Sequence, residues 1–309
     1  MVEGVDWADV ERRALGAYLG FAVGDALGAT VQFMSVDEIA TAYGVHHNLR
    51  GGGWLKLRAG QVTDDTEMCL ALGKSIVDGG GFDAAAAAQA LTAWLLGKPT
   101  DVDHTCRRGL RRYLADRSVS APPNAGDAGA SAAVRTLPVA LASVGDPAAL
   151  ADWSAAQCHL THNHPQSDAA GLALGRMVHA LLTGGGHKAA RAEANRLIAA
   201  EPQFRFQPYP GQAGGRVVET LQTVLHAYFR NDSVERCVIE AVNRGENADT
   251  TGALAGMLAG ATYGVDAIPR RWLGRLDGAV KTAIEPQVPA LLAVARRRLA
   301  QRPIGYPAG

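Results

Sequence analysis

Apolar residues along this chain recur every three or four positions over long stretches, and runs of β-branched residues are short. A spacing of three to four lines up one apolar face of a helix, whereas a half-buried strand alternates at every second position. The pattern therefore predicts helices throughout. We expect helices over residues 10–31, 67–78, 84–96, 104–115, 131–143, 148–158, 167–182, 188–199, 216–229, 233–242, 250–263 and 277–300.

The segments between the predicted helices are rich in glycine and proline, as in "NLRGGGWLKLRAGQ" and "EPQFRFQPYPGQAGG". Such segments are typical of loops that join packed elements. The chain shows neither a linker of disordered composition nor a repeat of solenoid period. We therefore predict one all-α domain over residues 1–309, with its core at about residues 10–300.

Two of the predicted helices carry a glycine at every fourth position, which lays the glycines along one stripe of each helix. The eight glycines are Gly16, Gly20, Gly24, Gly28, Gly252, Gly256, Gly260 and Gly264. Glycine costs about 1 kcal/mol against alanine inside a helix, so a stripe of it indicates close packing against another backbone. Asp25 interrupts the first apolar run and Asp266 ends the second, so neither run is long enough to span a membrane.

The charge of the chain limits which kinds of partner it could bind, and its cysteine content indicates a cellular location. Lys plus Arg equal Asp plus Glu at 30 each, and there is no basic block, which argues against a nucleic-acid or acidic-membrane partner. The acidic, polar first residues do not resemble a signal peptide. The four cysteines lie far apart with no C-x-x-C pair, so we expect neither a disulfide framework nor a zinc knuckle, and a cytoplasmic location.

Two similar polar motifs stand where apolar helices begin. Residues 63–66 read "TDDT", and residues 247–251 read "NADTT". Carboxylates and hydroxyls are hard oxygen ligands that suit Mg²⁺ or Mn²⁺. A pair of metal ions would bridge the two motifs if they face each other, whereas the simpler alternative is two ordinary helix caps. The presence of both motifs in one chain favours the metal site modestly.

Five sequence blocks together resemble a known family. They are "GAYLGFAVGDALGATVQFM", "GGGWLKLRAGQVTDDTEMCLALG", "DVDHTCRRGLRRY", "THNHPQSD" and "ADTTGALAGMLAGATYG". In order and spacing they are similar to the ADP-ribosylglycohydrolase family, and most similar to its dinitrogenase reductase-activating branch. The resemblance implies a compact orthogonal helical bundle with two Mg²⁺ or Mn²⁺ ions. The activity it implies is removal of ADP-ribose from an arginine side chain of a target protein.

The resemblance also implies three sets of site residues. The implied metal ligands are Thr63, Asp64, Asp65, Asn247, Asp249 and Thr250, the last chosen over Thr251 by the family's D-A-D-T motif. The implied catalytic residues are Asp65, Asp101 and Gln32. The residues implied to bind ADP-ribose are Asp101, Gly126, Gly129, Ser131, His162 and Arg216.

In this interpretation Asp101 meets the arginine guanidinium, and the loop of residues 126–135 cradles the pyrophosphate. Two alternatives stay open from the residues alone. Asp101 would instead cap the helix that starts near His104, and His162 would be an ordinary loop histidine. The neighbouring His159 and His164 invite a zinc site, but no cysteine or acid completes a tetrahedral set.

The chain departs from the family pattern at positions of the site. The family carries Glu at Gln32 and Asp at Asn247, and an aromatic residue at Arg216; Ala130 and Ser131 replace the Asn and second Gly of a G-N-G loop. Only three carboxylates that match family metal ligands, Asp64, Asp65 and Asp249, then remain for two metal ions, so we expect the second ion to bind weakly. Two readings compete: a working hydrolase, and an ADP-ribose-binding or regulatory protein without turnover. A third, substitution introduced to trap a ligand, is less favoured because Ala130 and Arg216 differ too.

The expected partner is an ADP-ribosylated protein, and the resemblance adds a regulatory protein partner through which membrane recruitment would occur. Four arginines on the helix predicted at residues 104–115 offer a basic face for such docking. They are Arg107, Arg108, Arg111 and Arg112. An ordinary solvated face is the favoured interpretation of this pattern.

Overall fold

The structure, a computed structural model, describes residues 6–301. Two 3₁₀ turns, Pro202–Phe204 and Val265–Ala267, accompany the α-helices. The α-helices are α1 Trp7–Gly28, α2 Val36–Tyr43, α3 Asp64–Gly79, α4 Ala84–Leu96, α5 His104–Asp116, α6 Ser131–Val134, α7 Thr136–Ala142, α8 Pro147–His159, α9 Pro165–Leu182, α10 Gly186–Ala200, α11 Val217–Arg230, α12 Val234–Val242, α13 Ala248–Tyr263, α14 Arg270–Leu273 and α15 Gly278–Gln301. Within this range there are isolated bridges but no strand, so the all-α prediction is confirmed.

The two glycine stripes pack α1 directly against α13 at the centre of the protein. A Cβ atom built on Gly20 would overlap with the carbonyl oxygen of Gly256, and one built on Gly24 would overlap with that of Gly252. The reciprocal positions on α13 meet the α1 backbone in the same way. The predicted role of the stripes, close approach of two backbones inside a helical bundle, is confirmed.

We expect Gly24→Ala to lower the free energy of unfolding by about 3 kcal/mol or more, because the rigid backbone of α13 occupies the space of the added methyl group. Urea unfolding followed by circular dichroism measures this change. Gly79→Ala is the matched control, since nothing lies near a Cβ there and φ is not positive. It should leave stability within about 1 kcal/mol. Equal effects of the two substitutions would contradict the packing argument.

The same helix pair sets the position of both polar motifs. At the end of the α1 stripe, Gly28 lies against the carbonyl of Ala248, the first residue of α13. One turn earlier on α1, Asp25 accepts hydrogen bonds from the start of α3. The N-termini of α3 and α13 are therefore both attached to the C-terminal half of α1.

The helix predicted over residues 131–143 is two helices, α6 and α7, separated at Arg135. Pro138 explains the break, because it has no N–H and its ring would clash with the carbonyl of Val134 in a continuous helix. The pattern also missed α2, although Ser35 and Glu38 form a capping box at its start. Its eight residues bury only Ile39, which left little hydrophobic periodicity to detect.

Two further expectations can be compared with the described residues. No helix within residues 6–301 combines the length and apolar character needed to cross a bilayer. All four cysteines are buried and free, which confirms that they form no disulfide framework.

Candidate active site

A buried acid on α1, Asp25, holds the start of α3. Its carboxylate accepts hydrogen bonds from the backbone N–H of Thr63 at 3.1 Å and of Thr66 at 3.2 Å, and from the Thr66 hydroxyl at 2.5 Å. Burial raises its pKa to about 6, against these hydrogen bonds. The sequence analysis used Asp25 only as an interruption of an apolar run. The signal that could have identified it is an acid inside a stripe of tightly packed glycines.

The two polar motifs meet at the N-termini of α3 and α13. Thr63 is the N-cap of α3, and its hydroxyl accepts from the Asp65 backbone N–H at 3.4 Å. Across the gap, the Thr250 hydroxyl donates to Oδ2 of Asp65 at 2.8 Å. Asp64 lies beside them and accepts from the backbone N–H of Asp103 at 3.2 Å. The two motifs therefore face each other through direct side-chain contact, which is the condition that the metal interpretation set.

Three carboxylates of these motifs are buried without a cationic partner. Burial, and then the charges of neighbouring acids, raise the pKa values of Asp64 and Asp65 well above the ordinary value. Burial, with the charge of Asp25 next, raises the pKa of Asp249 to about 8. Within residues 6–301 no Lys, Arg or His forms an ion pair with any of the three, and Oδ1 of Asp249 is buried without a hydrogen-bond partner. This donor set fits hard divalent cations.

Gln32 spans the site and is held in one orientation. The Trp54 indole N–H donates to Oε1 of Gln32 at 2.6 Å, and Nε2 of Gln32 donates to Oδ2 of Asp249 at 2.6 Å. An indole nitrogen can only donate, so the amide oxygen must face Trp54 and the amide nitrogen must face Asp249. This chain thus places a hydrogen-bond donor against Asp249.

Asp101 does not cap the helix that follows it. Asp103 is the N-cap of α5, accepting from the backbone N–H groups of Thr105 at 2.8 Å and Cys106 at 3.0 Å. The alternative interpretation of Asp101 as a cap is therefore wrong. Asp101 is half-buried, and burial raises its pKa. Its charge in turn raises the pKa values of Asp64 and Asp249, which places it beside the buried carboxylates.

Asn247 stands at the N-cap position of α13, but its side chain makes no capping hydrogen bond. Its Nδ2 lies 3.5 Å from the Thr220 hydroxyl oxygen, and its backbone N–H donates to Ala213 at 3.0 Å. The residue is half-buried. An amide at this position supplies neutral oxygen and nitrogen where a carboxylate would add a fourth charge to the site.

The loop proposed for the pyrophosphate pairs with the segment that carries Arg216. Gly129 and Arg216 form an isolated antiparallel bridge, and the backbone N–H of Ala130 donates to Gly215 at 3.2 Å. His162 completes the group, since a Cβ on Gly129 would lie 3.0 Å from its Nε2. Ser131 begins α6 at the end of this loop, whereas Gly126 lies at its exposed start.

The three clustered histidines have different partners. His159 pairs with Asp168 at 2.9 Å, and Nδ1 of His164 caps α9 by accepting from the Gln166 N–H at 3.1 Å. His162 is fully buried. The three histidines therefore do not converge on one point, but His162 lies beside an acid and a cysteine, Asp103 and Cys106, that the sequence analysis did not find for it.

The comparisons with known proteins bear on this arrangement. The sequence model of the ADP-ribosylglycohydrolase family matches residues 6–303. This chain belongs to the ADP-ribosylglycohydrolase family. It is 57% identical over 286 residues to the ADP-ribosyl-[dinitrogen reductase] glycohydrolase of Rhodospirillum rubrum, covering 93% of this chain and 97% of that protein. The predicted family and its class, a glycohydrolase enzyme, are thereby confirmed.

More distant members of the ADP-ribosylglycohydrolase family match as well. The ADP-ribosylarginine hydrolase Tri1 of Pseudomonas putida (strain GB-1) is 30% identical over 282 residues, which cover 85% of this chain and 74% of Tri1. A solved structure described as an ADP-ribosylglycohydrolase-related protein complex superposes with a TM-score of 0.83 at 30% identity. The match covers 93% of this chain and 99% of that one, so the family fold extends over nearly the whole sequence.

Some of the four arginines on the basic face of α5 contact other residues of the same chain. Arg108 pairs with the buried Asp127, and Arg112 donates to the backbone carbonyl of Leu160 at 2.9 Å. Arg107 and Arg111 are exposed. Two of the four arginines therefore have structural partners within the chain, and Arg107 and Arg111 belong to the exposed part of this basic face.

We expect the metal-free protein to lose stability as the pH rises from about 7 to about 8, above the range in which the buried His162 and His179, with pKa values lowered to about 4, act in the opposite sense. Asp249 has an ordinary pKa of 3.8 and a folded pKa of about 8, so in this window the folded chain keeps a proton that the unfolded chain has lost. Stability falls with pH wherever the folded state binds more protons. Melting temperatures in EDTA measure the slope, and Asp249→Asn should make it less steep, while Asp64 and Asp65 still contribute. Equal slopes for the parent and Asp249→Asn would contradict the prediction.

Proposed function

We propose that this chain hydrolyses the N-glycosidic bond between ADP-ribose and an arginine side chain of a target protein, and that dinitrogenase reductase is such a target. The observation that carries the proposal is the group of three buried carboxylates without a cationic partner, Asp64, Asp65 and Asp249, between two helix N-termini. The activities for which the relatives from R. rubrum and P. putida are named supply the substrate class.

The proposed cofactor is a pair of Mg²⁺ or Mn²⁺ ions. The residues that would hold them are Thr63, Asp64, Asp65, Asn247, Asp249 and Thr250. When bound, such ions orient ribose hydroxyls and polarise a water for attack. Asn247 contributes no charge, and Gln32 presents its amide nitrogen to Asp249. We therefore propose that the second ion binds weakly.

The chain's own residues would support the reaction around the bond that breaks. Asp101 is half-buried, and its carboxylate would receive the arginine guanidinium through charge-assisted hydrogen bonds. Cleavage of a glycosidic bond passes through an oxocarbenium-like state, which nearby carboxylates such as that of Asp65 stabilise. The Gln32 amide cannot take up a proton, so it would orient Asp249 and not act as a base.

The rest of the ADP-ribose would lie along the loop of residues 126–131. Backbone N–H groups of this loop suit a pyrophosphate, and the exposed guanidinium of Arg216 beside Gly129 can both pair with phosphate and stack on a base. His162 lies behind Gly129. These contacts would select ADP-ribose, while the carboxylates act at its distal ribose.

The direct test incubates mono-ADP-ribosylated dinitrogenase reductase with the protein and Mn²⁺. Chromatography then measures the free ADP-ribose that is released. Asp101→Asn keeps the size of the side chain and removes the charge that faces the guanidinium, so it serves as the matched inactive variant. Release by the parent and loss in the variant support hydrolysis. If the parent binds ADP-ribose but releases none from the protein, the result favours the second interpretation, a binding or regulatory family member. The uncharged side chains of Gln32 and Asn247 would explain the loss of turnover.

A further inference from the structure

A buried arginine without an acidic partner lies behind the proposed ADP-ribose loop. Arg135 separates α6 from α7 and is completely buried, and within residues 6–301 it forms no ion pair. Its Nη2 donates to the Thr161 hydroxyl at 2.7 Å and to the Gln157 carbonyl at 3.2 Å, while Nη1 lies 3.1 Å from Sγ of Cys106. A guanidinium has only donors, so every one of these partners must accept from it.

The direction of the hydrogen bond from Arg135 to Thr161 fixes the direction of the next hydrogen bond, between the Thr161 hydroxyl and His162. Its oxygen accepts from Arg135, and Nδ1 of His162 lies 2.9 Å away. If the hydroxyl hydrogen is donated to Nδ1, both the Thr161 hydroxyl and Nδ1 of His162 are satisfied. Nδ1 is then the bare nitrogen, and the imidazole proton resides on Nε2.

The opposite tautomer is disfavoured on two independent grounds. With a proton on Nδ1, the buried Thr161 hydroxyl would accept twice, and its own hydrogen would have no acceptor, which costs about 1–3 kcal/mol. A bare Nε2 would also turn its lone pair toward Oδ2 of Asp103, 3.9 Å away. Burial lowers the pKa of His162 to about 4, so the ring is neutral at pH 7.

The protonated Nε2 lies between the proposed substrate loop and Asp103, whose Oδ2 at 3.9 Å is too far for a hydrogen bond. It is buried with no hydrogen-bond partner in the part of the chain that the structure describes. A Cβ on Gly129 would lie 3.0 Å from it, so only the absence of a side chain there leaves this nitrogen open to the loop. A buried N–H needs an acceptor, and an oxygen atom of a ligand or of an ordered water that the ligand displaces would supply one.

A metal ion is the competing occupant. Ligand atoms of Asp103, Cys106 and His162 lie within 4.8 Å of one another. A cation there would need the lone pair of Nε2, and it would face the guanidinium of Arg135 across Cys106. Both requirements oppose the hydrogen-bond row, so the geometry favours a donor that binds an oxygen atom.

We propose that Arg135 and Thr161 are positioning residues that hold His162 as the Nε2–H tautomer, so that this ring donates a hydrogen bond to an oxygen of ADP-ribose beside Gly129. The proposal rests on the proposed function for the identity of the ligand. The tautomer itself belongs to the free protein and is measurable without any ligand.

The first experiment is nitrogen NMR of the protein labelled with ¹⁵N-histidine at pH 7, with His162→Gln used to assign the ring. We expect His162 to show a protonated Nε2 and a bare Nδ1, and we expect addition of ADP-ribose to shift the Nε2 signal. A protonated Nδ1 would overturn the positioning role of Arg135 and Thr161, whatever the function of the protein.

The second experiment measures ADP-ribose affinity by calorimetry for two variants with matched shapes. Thr161→Val removes the hydroxyl, so we expect a mixture of His162 tautomers and about tenfold weaker binding of ADP-ribose. Thr161→Ser keeps the hydroxyl and should show the tautomer and the affinity of the parent. Parent-like affinity and tautomer in Thr161→Val would overturn the proposal. A parent that binds no ADP-ribose would overturn the ligand assignment together with the proposed function, and Zn²⁺ binding that Cys106→Ser abolishes would assign the cluster to a metal instead.

Discussion

Replacing Asp65 by asparagine should abolish the thermal stabilisation of the protein by Mn²⁺ and lower turnover by about 100-fold or more. Asp65 contributes a full charge between the N-termini of α3 and α13, and even outer contacts of a metal commonly change affinity or activity by about 10–100-fold. An asparagine oxygen can still accept from the Thr250 hydroxyl, so the local hydrogen bond survives. The loss should therefore come from charge alone.

The metal-free form of Asp65→Asn should melt at the same temperature as the parent or above it. The pKa of Asp65 is raised by burial and by the charges of Asp64 and Asp249, so without a cation the folded protein must either protonate this acid or bear the repulsion, and asparagine avoids both costs. Asp37→Asn is the matched control, because Asp37 occupies the first turn of α2 as Asp65 does that of α3, but it is exposed. Scanning calorimetry measures the melting temperatures of the parent and both variants, once in EDTA and once with Mn²⁺. Unchanged stabilisation of Asp65→Asn by Mn²⁺ would count against a metal site at this position.

Restoring both family carboxylates, by Gln32→Glu together with Asn247→Asp, should raise Mn²⁺ affinity by about 10–100-fold and increase turnover. The Trp54 indole can donate to a glutamate oxygen as it now donates to the Gln32 oxygen, so the support on that side remains. The hydrogen bond from Gln32 to Asp249 is replaced by repulsion between two acids. Calorimetric titration with Mn²⁺ measures the gain.

The double variant also separates the two readings of the natural site. Turnover by the parent would establish a hydrolase that works with three carboxylates, whereas turnover by the double variant alone would show an intact pocket that has lost its chemistry. The control, Gln89→Glu with Asn195→Asp, makes the same change of charge at exposed positions and should leave affinity unchanged. A double variant that binds Mn²⁺ no more tightly than the parent would contradict the ligand roles of residues 32 and 247.

Local features of the chain determined most of the helices, both glycine stripes and the two polar motifs. Helix periodicity and N-cap chemistry act within a few residues, so they can be read without a partner. The break at Arg135 was also encoded locally, by Pro138, although the periodic pattern hid it. The facing of the two motifs depends on two tertiary contacts, the packing of α1 against α13 through their glycines and the hydrogen bonds from the start of α3 to Asp25. The spacing of four indicated only that each stripe meets another backbone.

Only the tertiary structure decided which groups carry a proton and which way each hydrogen bond runs. Asp103 and not Asp101 caps α5, Trp54 orients the Gln32 amide, and Arg135 sets the tautomer of His162 through Thr161. Each of these depends on a contact between residues distant in the sequence, and pKa values follow burial and neighbouring charge in space. A sequence pattern can place an acid or a histidine at a helix end, but its protonation is a property of the packed surroundings.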